Sequence, residues 1–297
     1  MKQQDAYKLL AAFMILIMII VPVAYVITSP RSDSASQTTA QQSQQDKYNP
    51  DYWTIDQSFY SIADGLNMTP YGATTADFVD IDGMTPQMKQ AVLQYSGDMG
   101  SLINDLDNRI YKSNTTKMYF ATLPSIQQGV PNFLLLSTMY PDRNDFEYIV
   151  IPNSNNILKR QDTGAINIMG NPVIYAPHEE TASQVLEIMY GLNKTNTSLD
   201  LYNGLLSKVE TAQYQTISSN VTFAKQFYIG IRSINGSYER TTAYMDVNSS
   251  TLEKLNGLKT NSTKNGFELY NLTTSGNYTY VRIVSTDISR VFNEEIN

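Results

Sequence analysis

Cysteine is absent from the 297 residues, so no disulfide ties the chain, no thiolate can act as a nucleophile and no Cys-ligated metal site can form. Histidine occurs once, at His178. That excludes a multi-histidine metal centre and leaves one residue for any histidine-dependent triad. There is no Gly-x-Ser-x-Gly elbow, phosphate-binding loop or dinucleotide fingerprint, so no cofactor is expected. Setting Lys2, Lys8 and Asp5 aside from 21 bases and 28 acids leaves a remainder of −8, which argues against nucleic acid or anionic headgroups as partners.

One stretch lacks charge altogether. Leu9 to Ile27 holds nineteen uncharged residues, which at helical rise cover about 28 Å, close to the hydrocarbon thickness of a bilayer. Pro22 interrupts the run, as transmembrane helices tolerate. Lys2, Lys8 and the α-amino group precede it against a single acid, Asp5, so the expected N-terminus is cytoplasmic. A cleaved signal peptide is the competing reading. Its apolar region would be shorter, and Val26-Ile27-Thr28 is a poor cleavage site. The expected layout is a cytoplasmic tail at 1–8, an anchor at 9–27, a Ser/Gln/Thr-rich stalk at 28–47 that cannot bury enough surface to order itself, and an extracytoplasmic domain at 48–297.

Ten Asn-x-Ser/Thr sequons follow the apolar run and none precedes it. Asn67 has Pro70 close behind Thr69, a context that hinders modification. The candidate N-glycosylation sites are therefore Asn114, Asn193, Asn196, Asn220, Asn235, Asn248, Asn261, Asn271 and Asn277. Sequons without cysteine fit an archaeal envelope protein better than a secreted eukaryotic one.

Past the stalk, helical and strand periods alternate. Asp56 can cap a helix bearing Phe59, Ile62, Ala63 and Leu66. Ala76–Ile81 reads as a strand, and Thr85-Pro86 as an N-cap and N1 pair before Met88, Ala91, Val92 and Tyr95. A helix with Met99, Leu102, Ile103, Leu106 and Ile110 follows, then strands at Lys117–Leu123, Phe133–Tyr140 and Phe146–Ile151 and a hairpin over Ala165–Ala176. The second part repeats the order: helices from Pro177 and around Tyr202–Val209, a hairpin turning at Asn235-Gly236, a helix at Thr251–Leu258, and strands at Phe267–Leu272 and Tyr278–Ser285. The expected fold is α+β, with antiparallel sheet and helices on one face. In element order it is similar to ferredoxin-type units, and two related units would divide at about 164/165. Lys117-Met-Tyr-Phe and Lys225-Gln-Phe-Tyr share a start that suits such a repeat.

Candidates for chemistry are few. His178 beside Glu179 and Glu180 reads either as a base oriented by a carboxylate or as an exposed first-turn residue. Asp77, Asp80, Asp82 and Gly83 resemble part of a calcium loop, but an EF-hand register would put Phe78 and Lys89 at ligand positions. Asp105, Asp107 and Asn108 are spaced so that they do not face one ion, and no metal is expected. The 21 tyrosines, notably in Asn277-Tyr278-Thr279-Tyr280, suit either half-buried strands or a recognition surface. The chain therefore reads as a non-catalytic envelope protein that binds a protein partner. A ligand-binding sensor subunit and a carboxylate-based envelope hydrolase are the alternatives.

Overall fold

The structure, a computed structural model, describes residues 55–96, 98–141, 147–150, 157–192 and 196–294. The expected tail, anchor and stalk, together with Asn193, lie outside the described residues. Among the described residues no helix is long and apolar enough to cross a membrane.

The domain is α+β, built on one antiparallel sheet of twelve strands. Its first half contains β1 (Thr75–Asp80), β2 (Lys117–Leu123), β3 (Asn132–Thr138), β4 (Tyr148–Val150), β5 (Ile157–Arg160), β6 (Ile166–Ile168) and β7 (Val173–Ala176). The second contains β8 (Tyr214–Ser218), β9 (Gln226–Ile234), β10 (Ser237–Met245), β11 (Leu269–Ser275) and β12 (Tyr278–Ser285). The order across the sheet is β11-β12-β10-β9-β8-β1-β2-β3-β7-β6-β5-β4. The halves meet where β1 pairs with β8, Asp77 opposite Thr216. The 164/165 boundary falls in the turn between the paired strands β5 and β6.

Helices cover both faces of this sheet, which corrects the expectation of one covered face. On the first face α1 (Ile62–Met68), α4 (Glu179–Met189) and α5 (Leu199–Leu206) pack over Phe78, Tyr119, Leu136, Ile174 and Tyr228. On the second face α2 (Pro86–Tyr95), α3 (Asp98–Asp105) with the π-helical turn Leu106–Ile110, and α7 (Ile288–Asn293) pack over Val79, Met118, Leu135 and Ile231. There α6 (Ser249–Asn261) covers Tyr244, Val281 and Ile283. The physical cause is legible in the strands. All four residues of β7 are buried, and a continuous apolar run rather than an alternating one means two buried faces.

Local chemistry sets the elements. Thr85 caps α2, its hydroxyl accepting from Met88 N–H at 3.2 Å with Pro86 at N1, as its sequence predicts. α1 is capped by Ser61 instead of Asp56, because Asp56 bridges to Asn171 and accepts from its side-chain amide at 3.1 Å. The β9–β10 hairpin turns at Asn235 and Gly236 with φ of 50° and 84°, the two positive values that Asn-Gly supplies.

β2 and β9 hold matching places beside the central pair β1 and β8. Their Lys-x-aromatic-aromatic starts nevertheless match one residue out of register. Tyr119 and Tyr228 share the first face, whereas Phe227 packs on the second with Tyr244.

Candidate functional site

At one end of the first face the helices stop short, leaving an open groove of about 440 Å³ lined by Lys208, Ser275, Gly276, Asn277, Tyr278 and Tyr280. The strand geometry makes it. Tyr278 and Tyr280 stand two apart on β12 and so share a face, where their rings stack with centroids 6.3 Å apart and planes 20° apart. Across the ladder they face Ser275 and Thr273 of β11, whose small side chains leave the rings only half-buried. Inward, both tyrosines rest on the first-face core. Gly204 lets α5 lie beside Tyr278, since a Cβ there would stand 2.9 Å from the phenol oxygen. Gly276, with φ of 60°, closes the turn above them. Burial raises the Tyr280 phenol above its ordinary pKa, and Tyr278 beside it adds to the effect. The groove thus offers two aromatic faces, an ammonium, an amide and one small hydroxyl, and its lining contains no carboxylate and no imidazole. Such a set binds by stacking and hydrogen bonding.

The other sequence-derived candidates lie apart from this groove. His178 is not an exposed first-turn residue. It is the N-cap of α4, makes no capping bond with its side chain, and is half-buried with Nε2 buried and unpartnered among the described residues. The acids are each occupied separately. Asp77 and Asp80 point to opposite faces of β1, since they are an odd number of residues apart. Asp77 accepts from the Thr216 hydroxyl at 2.6 Å, and burial still raises its carboxyl to about 6. Asp80 accepts from Gly83 N–H at 3.2 Å and lies 3.6 Å from the Lys117 ammonium, while Asp82 is exposed. Asp105 pairs with Arg109 at 3.1 Å, Asp107 accepts from Thr115 N–H at 2.8 Å, and Asn108 donates to Asn104. Among the described residues no three His, Cys, Asp or Glu side chains come together to hold a metal.

Eight of the candidate glycosylation residues are exposed: Asn114, Asn196, Asn220, Asn235, Asn248, Asn261, Asn271 and Asn277. Two also serve the fold. Asn248 Oδ1 caps α6 by accepting from Thr251 N–H at 2.8 Å, and Asn261 donates to the Gly257 carbonyl at 3.1 Å.

Sequence reasoning missed an ion cluster on the first face. Glu239 is 2% exposed, accepting from Arg232 Nε at 2.9 Å and from Arg282 Nε at 2.6 Å. Arg232 also pairs with Glu210. The register explains it: Arg232 of β9 stands opposite Glu239 of β10, and Arg282 of β12, opposite Thr241, reaches Glu239 diagonally on the same face. The available signal was Glu239 in phase with Ala243 on an inward-facing strand.

No protein-family model matches the sequence, and no curated protein matches it. Among solved structures, crystal form III of TP0453 aligns with TM-score 0.44 over 80% of this chain and 99% of its own, at 10% identity. Crystal form I of TP0453 aligns with TM-score 0.46 over 80% of this chain and 97% of its own, also at 10% identity.

Proposed function

We propose that the chain is a membrane-anchored, extracytoplasmic protein whose domain binds a protein partner in the envelope and is not an enzyme. The observation that carries this reading is the open groove at Tyr278 and Tyr280. Two stacked rings on an ordered strand offer large apolar area with polar tips, and their rigidity keeps the entropy cost of binding low. The uncharged run Leu9–Ile27, its basic flank and the stalk at 28–47 support an anchor that holds the domain away from the bilayer. The ligand-binding sensor and the carboxylate hydrolase are the alternatives. Glycans at the exposed sequons suit the same location. Asn277 is different, because it lies in the groove lining, and a glycan there would crowd the rings. The partner-bound form therefore carries Asn277 unmodified.

The test is co-purification from native membranes of the full chain and of a Tyr278→Ser, Tyr280→Ser variant. Tyr60→Ser serves as a control, since Tyr60 is 67% exposed and outside the groove. The double variant should lose the partner and the control should keep it. A partner retained by a folded double variant would refute the proposal.

A further inference from the structure

On the opposite face of the sheet from the tyrosines lies a smaller cavity, of about 150 Å³, between α2, the π-helical turn and β1. Its apolar lining includes Val79, Ile81 and Ile103, and its polar lining includes Lys89, Asp107 and Thr115. The π-helical turn shapes it. Tyr111 N–H donates to the Leu106 carbonyl at 2.9 Å, five residues back, a widening that recurs at functional sites. Asp107, inside the widened turn, is held by Thr115 N–H, which donates to its Oδ1 at 2.8 Å. One carboxylate oxygen is thereby fixed, and no hydrogen bond to Oδ2 occurs among the described residues. Thr115 is 4% exposed, and its hydroxyl is buried with no hydrogen-bond partner among the described residues. A buried hydroxyl left unbonded is unfavourable, and Thr115 lies in the lining beside the two charged side chains.

The charges narrow what the cavity could hold. Lys89 and Asp107 are opposite in sign and line the same cavity. A carboxylate ligand alone would confront Asp107, and an amine alone would confront Lys89. A hydrocarbon would leave both charges without a partner. A cavity of about 150 Å³ accepts a body the size of benzene, which is adequate for a branched side chain of four carbons. We infer that this cavity binds a free α-amino acid with a small branched apolar side chain. The side chain sits against Val79 and Ile103, the carboxylate meets Lys89, and the ammonium meets Asp107. This goes beyond the partner-binding reading and stands or falls separately, because it shares no residue with the tyrosine groove.

The test is calorimetric titration of the full chain in detergent with L-leucine, isovalerate and isopentylamine. These probes carry both charges, the carboxylate alone and the amine alone. L-Leucine should bind saturably, and the other two should bind at least about tenfold more weakly, as loss of a charge-assisted bond implies. Asp107→Asn keeps an oxygen for Thr115 N–H and removes the charge, and Lys89→Gln alters an exposed helix position. Each should weaken leucine binding at least about tenfold while leaving the ligand-free melting temperature unchanged. No saturable heat with leucine, equal binding of either single-charge probe, or variants that bind leucine like the wild type would overturn the inference.

Discussion

Asp77 is an acid held where its charge is costly. It sits on the central strand β1, with Thr216 donating to it from β8, and burial moves its carboxyl from 3.8 to about 6 despite that bond. The native state therefore holds the proton more tightly than the unfolded chain does. Its contribution to stability is fully present below 3.8 and is lost as the pH rises through about 6. Linkage bounds the loss at about 3 kcal/mol, and the true figure is smaller because the carboxyl is only half-buried. Asp77→Asn should remove this leg of the pH profile. Urea midpoints should then fall between about pH 4 and about pH 7 less for the variant than for the wild type. Parallel profiles for the two proteins would show that Asp77 is ionised and solvated. Nothing in the sequence distinguished Asp77 from Asp80, because burial depends on which face of β1 each occupies and on what covers that face. His178 carries the same lesson. Its place at a helix start was legible beside Glu179 and Glu180, whereas its buried Nε2 depends on tertiary packing.

Among the elements, α1 is the clearest case of a helix seated by a single small residue. Gly65 faces the ring of Tyr119 on β2, and a Cβ there would overlap the ring. The Tyr119 phenol meets the Thr69 hydroxyl at 2.8 Å, and that hydroxyl lies 2.7 Å from the Gly65 carbonyl. Gly65→Ala raises helix propensity by about 1 kcal/mol but overpacks the contact, which costs about 1–3 kcal/mol. The net expectation is a lower melting temperature, measured by thermal unfolding. A higher one would mean that α1 shifts freely on the sheet. Elements with strong punctuation or period were legible: α2 behind Thr85-Pro86, the Asn235-Gly236 hairpin, and β12 at Tyr278–Ser285. Of the elements not foreseen, β5 and β8 lack such signals, while α7 has an N-cap in Asp287 but only six residues behind it. β8 is Tyr-Gln-Thr-Ile-Ser, with Gln215 buried and only one aliphatic residue, and it is a strand because β1 and β9 offer it partners on both sides. The π-helical turn was read as plain helix, since its apolar spacing differs from α-helix by a single residue. The tyrosine groove was half visible: Tyr278 and Tyr280 were singled out, but the small residues opposite them on β11 became relevant only once the register was known.

At the scale of the whole molecule, the sheet runs unbroken from β11 to β4 with helices on both faces. Most of its apolar surface is thereby committed to the core. The covering stops at the end of the first face beside β12. In the function proposed above, this end is where an anchored domain meets its partner. Lys208 makes the claim directly measurable, because its amine lies in the groove lining beside the tyrosines. Amine-reactive cross-linking of native membranes, followed by mass spectrometry of the linked peptides, reads the contact without separating the complex. Links are expected from Lys208 to one envelope protein, lost in the Tyr278→Ser, Tyr280→Ser variant, together with an unmodified Asn277 in the linked peptide. Partner links that arise from other lysines while Lys208 stays unlinked would contradict it.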